Sequence, residues 1–232
     1  MNNMNILKSI KELNRFETGL WSVSAIVVIL SYLFSPDKDI LSLIASLIGV
    51  TALIFVAKGL VLGQILTVVF AVFYGTISVI FGYYGEAITY LLMSAPMAIA
   101  AIISWLKHPF KESSEVEVAK LSKKTKTLLS VLTVIVTVAF YFILGALGNK
   151  NLITSTLSVT TSFVAASLTF LRSPYYAIGY SLNDLVLIAL WIMAAAENPQ
   201  YIPMIFCFVM FLVNDLYGFI YWRRMEKRQK GN

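Results

Sequence analysis

Two asparagine-aspartate pairs, Asn183-Asp184 and Asn214-Asp215, stand inside long apolar segments of the chain. An ionisable group in a bilayer costs at least a few kcal/mol, so it usually has a specific role. Amide and carboxylate groups together can hold ribose hydroxyls or a carboxamide. The pairs therefore predict a polar binding site, with hydrogen bonding between helices as the alternative explanation.

The positions of these pairs predict their depth in a membrane. Asp184 lies twelve residues after Arg172, roughly 18 Å at 1.5 Å per residue, which is close to the midplane. Asp215 lies roughly 10 Å from the end of its apolar segment. Because the two helices would run antiparallel, Asn183 and Asn214 are expected to face each other. A salt bridge from Asp215 to an arginine at the same end, Arg172 or Arg223, is the alternative for that residue.

Two aromatic residues far from the segment ends, Tyr90 and Trp191, could stack on a flat ring of a ligand. Packing between helices is the simpler explanation for each of them. Asp184 could also relay protons, as buried carboxylates do in pumps, although no His or Lys is predicted at a similar depth. The binding, packing and relay interpretations stay open at this point.

Catalytic and metal chemistry have few candidate groups in this sequence. The chain has one cysteine, Cys207, and one histidine, His108, and they lie in different segments. A disulfide framework or a His/Cys metal cluster is therefore excluded. With no acidic cluster either, we expect no enzyme, no metal and no cofactor.

The elements that must position these residues are membrane helices. Hydrophobic residues make up 59% of the 232 and charged residues 13%, with a mean hydropathy of +0.80. These values exclude an ordinary soluble domain, and about 20 apolar residues are needed for each crossing. The sequence predicts an all-α membrane protein with eight spans: Thr18–Phe34, Ile40–Val56, Leu60–Gly82, Glu86–Leu106, Thr127–Ala146, Leu152–Leu171, Tyr175–Ala195 and Ile202–Trp222.

The basic residues predict the orientation of the spans. Three precede the first span, Lys58 follows the second, six lie in the central loop, Arg172 follows the sixth and five follow the last. Only Lys38 and Lys150 fall on the other side. The positive-inside rule therefore places both termini and the central loop in the cytoplasm. Because the positive charges lie at helix ends, the net charge of +6 indicates topology and not nucleic-acid binding.

The order of spans and loops predicts an internal repeat. Residues 40–106 and 152–222 each hold three spans, and one linking helix over 127–146 joins them, so the two bundles are parallel repeats. The other predicted parts are an amphipathic N-terminus with an extra transmembrane helix over 1–39, a cytoplasmic loop over 107–126 and a basic cytoplasmic tail over 223–232.

Several short motifs follow one another along the chain: Tyr84-Gly85-Glu86, Pro96-Met97, Trp105-Leu106-Lys107-His108, Ser173-Pro174-Tyr175-Tyr176, Asn183-Asp184 with Trp191, and the run from Asn214 to Trp222. Their order and spacing resemble those of the PnuC family of nicotinamide riboside transporters. The resemblance covers roughly residues 40–225. It implies a multi-pass protein of the bacterial inner membrane, with the two bundles in a SWEET-like arrangement and a homotrimeric assembly.

The resemblance also implies a function. It predicts uptake of nicotinamide riboside by facilitated diffusion through alternating access, driven by a cytoplasmic kinase that phosphorylates the imported nucleoside. By position, Asn214 matches the asparagine of the family's last-helix motif, and Asn183 and Asp184 match polar positions of the preceding helix. The complete set of predicted substrate-binding residues is Asn183, Asp184, Asn214, Tyr90, Trp191, Asp215 and Tyr217.

The chain differs from the family pattern at two positions. Ala98 stands where many members have a glutamine after Pro-Met, and Ile102 stands where many have a second tryptophan. Both groups are associated with the nicotinamide end of the ligand. Another nucleoside, a deoxynucleoside or thiamine is therefore an alternative ligand, and a substrate-binding subunit of a larger importer is an alternative role.

Overall fold

A computed structural model describes residues 13–35, 39–80, 84–111, 113–149 and 151–231. Nine α-helices occur in these ranges, and a π-helical segment, Thr89–Ser94, joins the fourth to the fifth. The helices are α1 Arg15–Leu33, α2 Ile40–Ala57, α3 Val61–Ile80, α4 Tyr84–Ile88, α5 Ala95–Lys107, α6 Lys123–Ala146, α7 Leu152–Phe170, α8 Tyr176–Glu197 and α9 Ile202–Lys230.

Eight helical segments are long and apolar enough to cross a membrane, and α4, the π-helical segment and α5 together form one of them. The described ranges contain two isolated β-bridges and no strand. The predicted all-α membrane fold with eight spans is therefore confirmed. Most of the predicted amphipathic N-terminus, residues 1–12, and the two basic residues Lys38 and Lys150 lie outside the described residues.

Three helix ends differ from the sequence prediction by three residues or more. α1 begins three residues early because the Asn14 side chain accepts from the Glu17 N–H while the Glu17 carboxylate accepts from the Asn14 N–H. α6 begins at Lys123 because Ser122 caps it. α9 continues through the basic residues predicted as a tail and ends at Lys230. Two of its basic side chains, Arg223 and Lys230, form ion pairs with Glu226 along the helix.

The fourth span is not one regular helix, because Pro96 lacks a backbone N–H and its ring crowds the preceding turn. The chain responds with a π-helical segment, in which Ala95 N–H donates to the carbonyl of Tyr90. Such wide turns inside helices are frequent at functional sites. The segment carries Tyr90, one of the predicted binding residues.

The buried apolar residues form two main clusters at different depths. The first contains Phe70, Tyr74, Trp191 and Phe211, and the second contains Trp105, Tyr176 and Trp222. Small residues allow close packing between helices, as is common in membranes. A side chain added at Gly179 on α8 would lie 2.9 Å from the Cα of Ala165 on α7, so these helices are in direct backbone contact.

The turns after α2 and α7 have the same backbone conformation. Gly59 has φ +70° and Arg172 has φ +56°. Leu60 N–H donates to Phe55 O, and Ser173 N–H donates to Leu168 O, which closes both helices in the same way. Both turns lie at one end of the molecule with the central loop and the last turns of α9, and we call this the basic end. The opposite end, where α1 ends and α2 begins, is called the far end.

Candidate functional site

A cavity with a volume of about 590 Å³ lies in the far half of the molecule. That volume is within the range of small-molecule sites, roughly 300–1,000 Å³. Helices α1, α2, α3, α8 and α9 all contribute to its wall. Its lining residues are Val28, Ser31, Tyr32, Ser35, Asp39, Ser42, Leu43, Ser46, Tyr74, Ile77, Ser78, Trp191, Gln200, Tyr201, Pro203 and Met204.

The wall of this cavity combines aromatic rings with hydroxyl groups. Trp191 packs against Tyr201 with ring centroids 5.5 Å apart. Trp191 is buried, and its indole N–H has no hydrogen-bond partner among the described residues. A buried N–H without a partner is costly, so a ligand oxygen in the cavity would stabilise it. The predicted site residue Trp191 thus lies in the cavity wall.

Tyr90, another predicted site residue, lies behind this wall. Its ring centroid is 4.6 Å from that of Tyr74, which lines the cavity. The Tyr74 hydroxyl lies close to the half-buried carboxyl group of Glu86. Glu86 and Tyr90 also line a much smaller polar cavity of about 20 Å³. Tyr90 therefore supports an aromatic wall residue, with a carboxyl group close behind it.

The carboxyl groups of Asp184 and Asp215 lie close to each other. Both residues are buried, with 2% and 3% of their surfaces exposed. Two carboxyl groups side by side in a buried site repel each other when both are ionised. The other oxygen of Asp184, Oδ2, has no partner among the described residues. The pair is a buried acidic group that retains a free acceptor.

Cys207 separates this acidic pair from the cavity. The Cys207 thiol lies near Ser46, which lines the cavity, and is close enough to Asp184 for electrostatic interaction. Next to Cys207, the rings of Phe208 and Phe211 pack with centroids 5.4 Å apart. The acidic pair thus lies beneath the cavity floor, with Cys207 between the pair and the cavity.

Asn183 and Asn214 are buried, but their hydrogen bonds go to different helices. The Asn183 Oδ1 atom accepts from Thr161 on α7 at 2.9 Å. Asn214 Nδ2 donates to Ser24 on α1 at 2.9 Å and to the carbonyl of Met210. The expectation that these amides face each other therefore differs from the observed hydrogen bonds. The amide oxygen of Asn214 has no partner among the described residues.

Tyr217 lies at the basic end and not in the cavity wall. Its hydroxyl donates to Glu17 Oε1 at 2.7 Å, and Glu17 also accepts from Lys58 Nζ at 3.0 Å. Glu17 is completely buried, and Lys58 is 7% exposed. This buried ion pair links α1 to the turn after α2.

The two arginines predicted as alternative partners of Asp215 have other acidic neighbours. Arg172 contacts Glu117, and Arg223 contacts Glu226.

Two tryptophans close the protein at the basic end. Trp105 at the end of α5 donates to the carbonyl of Thr169 on α7 at 3.0 Å. Trp222 on α9 donates to the carbonyl of Val56 on α2 at the same distance. Each ring thus reaches from the third span of one predicted bundle to the first span of the other.

The central loop lies over the basic end that these two tryptophans close. Val116 N–H donates to the carbonyl of Gly59, and Ala119 N–H donates to the carbonyl of Arg172, so the loop bridges the two equivalent turns. Burial lowers the pKa of the Arg172 guanidinium, whereas the nearby Glu117 carboxylate opposes that shift. Gln229 at the end of α9 donates to the Val116 carbonyl at 3.0 Å.

Sequence analysis missed most of the cavity wall. It treated α1 as an extra helix, yet four residues of its far half and the following turn line the cavity. It considered two acidic residues deep in the membrane and overlooked Glu17 and Glu86. The Asn14-x-x-Glu17 capping pattern was a readable signal for the start of α1. No sequence pattern distinguished the serines of the cavity wall, because isolated serines are common in membrane helices.

Comparisons with known proteins give consistent matches over most of the chain. A family model described as nicotinamide mononucleotide transporter matches residues 39–224. The nicotinamide riboside transporter PnuC of Neisseria mucosa is 27% identical over 205 residues, covering 86% of this chain and 78% of that protein. The nicotinamide riboside transporter PnuC of Haemophilus influenzae is 27% identical over 216 residues, covering 92% of both. A crystal structure of the vitamin B3 transporter PnuC matches with a TM-score of 0.80 and 26% identity, covering 94% of each chain.

Proposed function

Because this chain belongs to the nicotinamide mononucleotide transporter family, the PnuC family that its motifs resemble, we propose that it imports nicotinamide riboside or a closely related nucleoside. The named relatives are membrane transporters, so the expectation of a transporter and not an enzyme is confirmed. The observation that carries the substrate proposal is the cavity of about 590 Å³, lined by Trp191, Tyr74 and several serines. A flat ring and a sugar with several hydroxyls suit such a wall.

The proposed transport mechanism is alternating access between the two three-helix bundles. The cavity is at the far end, while Trp105 and Trp222 connect the bundles at the basic end. With the basic end in the cytoplasm of a bacterium, this arrangement is an outward-facing state of an inner-membrane carrier. The substrate reaches the cytoplasm when the tryptophan contacts break and the far end closes.

The acidic pair beneath the cavity is proposed to favour a cationic ring. A pyridinium that enters a low-dielectric region needs a counter-charge, and Asp184 and Asp215 carry one between them when they share a proton. The free Oδ2 of Asp184 and the free amide oxygen of Asn214 are acceptors on the same route. Asn183 is proposed to hold α7 against α8 and to line that route.

The proposed driving force is the removal of free substrate inside the cell. A cytoplasmic kinase that phosphorylates the nucleoside would keep its internal concentration low, so that facilitated diffusion continues inwards. The family resemblance supports this link, as it supports a homotrimer. A second ligand class, a deoxynucleoside or thiamine, is favoured by one observation: Ala98 is buried in α5 and Ile102 packs in the cluster at the basic end, where many relatives have polar or larger groups.

Binding and uptake together test the proposal. Nicotinamide riboside, thymidine, uridine and thiamine are titrated by calorimetry into the full-length protein in detergent, and uptake is followed in liposomes that contain only this protein. We expect nicotinamide riboside to bind most tightly and to equilibrate across the liposome membrane without an imposed ion gradient. Tighter binding of one of the other three ligands would make that ligand the proposed substrate in place of nicotinamide riboside. Binding without uptake would instead indicate a substrate-binding subunit of a larger importer.

A further inference from the structure

Helix α1 lies outside the residues that match the family model, which begin at residue 39. Nevertheless, Val28, Ser31 and Tyr32 from its far half line the cavity, and Ser35 just beyond its end does so too. The first helix is thus part of the wall of the candidate site. It follows that the family-matched part of the chain alone does not enclose this cavity.

The inner contacts of α1 hold that wall in a defined place. At the basic end, the buried Glu17 carboxylate binds Lys58 and Tyr217. At mid-height, Ser24 accepts from Asn214 and donates to the carbonyl of Leu20. Most apolar side chains of α1 outside these contacts are exposed, including Val23 and Ile26 at 53% each. Its fixed orientation therefore comes from polar contacts along one face, and the cavity residues continue that face towards the far end.

Two polar atoms in the cavity wall are buried without a partner among the described residues. They are the hydroxyl oxygen of Ser35, in a residue that is 8% exposed, and the indole nitrogen of Trp191, in a residue that is 5% exposed. Both residues line the same cavity. An indole N–H can only donate, and a serine hydroxyl can donate as well, so both are suited to an oxygen acceptor on a ligand.

We propose that α1 and the residue that follows it determine substrate specificity, with Ser35 and Trp191 donating hydrogen bonds to oxygen atoms of a ribosyl ligand. The proposal rests on the proposed function, because it concerns the same cavity. Ser31 contributes less, since its hydroxyl already donates to the carbonyl of Val28 at 2.8 Å. The sugar hydroxyls and the carboxamide of a nucleoside both offer the required acceptors.

The test compares Ser35→Ala and Trp191→Phe with Ser22→Ala, which lies on the same helix and does not line the cavity. Affinity for nicotinamide riboside is measured by calorimetry with the full-length protein in detergent. We expect each cavity variant to bind about three- to tenfold more weakly, the effect of one lost hydrogen bond, and Ser22→Ala to bind like the original protein.

Thermal melting separates a binding role from a structural one. Without ligand, Ser35→Ala should melt at the original temperature or slightly above it, because a buried hydroxyl without a partner is removed. With nicotinamide riboside, its ligand-induced increase in Tm should be smaller than that of Ser22→Ala. Equal affinity of Ser35→Ala and Ser22→Ala would overturn this inference while leaving the proposed function intact. Failure of the original protein to bind any of the four ligands would instead refute the proposed function.

Discussion

The indole rings of Trp105 and Trp222 lie 5.5 Å apart at the basic end, and each donates its N–H to a backbone carbonyl of the opposite predicted bundle. The two acceptors, Thr169 and Val56, are the penultimate residues of α7 and α2, respectively. A reciprocal arrangement of this kind makes the closure sensitive to any change in the angle between the bundles. The two rings are therefore the natural place to test how the basic end opens.

Replacing Trp222 by Phe should loosen the closed basic end. The variant keeps an aromatic ring but removes the indole donor to the Val56 carbonyl, which still accepts from the Gly59 N–H, at a cost of about 0.5–1.5 kcal/mol. Hydrogen exchange of the central loop should become faster, as measured by mass spectrometry on the protein in detergent. Trp21→Phe is the matched control, because Trp21 donates to the Thr51 hydroxyl at a site that is 36% exposed. Equal exchange rates in both variants would mean that the Trp222 contact does not hold the loop.

Replacing Gly59 by Ala should destabilise the turn that carries the central loop. Gly59 has φ +70°, and an added Cβ would lie 3.2 Å from the Cε of Met225. Gly148 has the same φ, with no atom within 4 Å of an added Cβ. Both alanine variants incur the backbone cost of about 1 kcal/mol, and only Gly59→Ala also displaces its neighbours. We expect the larger decrease in Tm for Gly59→Ala. Similar decreases in Tm for the two variants would show that the central loop moves to accommodate the added methyl group without a measurable loss of stability.

Replacing Asp184 by Asn should weaken binding of cationic ligands selectively. The amide has nearly the same shape as the carboxyl group and can donate to the neighbouring Asp215, so the variant should fold. It removes the Asp184 carboxylate oxygen Oδ2, which has no partner among the described residues, and leaves Asp215 as the one acidic group of the pair. Affinity for nicotinamide riboside should decrease by about tenfold or more, as measured by calorimetry. Glu117→Gln is the control, since Glu117 is at the surface of the basic end. An unchanged affinity in Asp184→Asn would remove this residue from the proposed route.

The buried Glu17–Lys58 ion pair should show strong coupling. Lys58→Met leaves the completely buried Glu17 carboxylate without the lysine counter-charge, a change that typically destabilises a protein by about 3–5 kcal/mol, and Glu17→Gln removes the carboxylate that Lys58 contacts. The double variant removes both charges and should recover much of the lost stability. Thermal melting of the three variants in detergent measures this coupling. Additive losses in the double variant would show that α1 is held mainly by its other contacts.

Several features of this protein follow from local sequence. Apolar segment length alone predicts eight helices, because a helix in lipid must satisfy its own backbone hydrogen bonds. Pro96 marks the irregular fourth span, since a proline removes one of those bonds wherever the helix packs. The motifs from Tyr84 to Trp222 were sufficient to indicate the family, which the match over residues 39–224 confirms.

The tertiary structure decided which polar residues meet. The sequence could place Asn183 and Asn214 at similar depths, but the rotation of α8 and α9 turns one amide towards α7 and the other towards α1. The same rotation brings the carboxyl groups of Asp184 and Asp215 together. Helix rotation depends on packing against several neighbours at once, and in lipid the apolar pattern of a span gives little guidance, because both its buried and its lipid-facing sides are apolar. For that reason the sequence determined the spans and the family, and only the packed structure made the first helix a wall of the cavity.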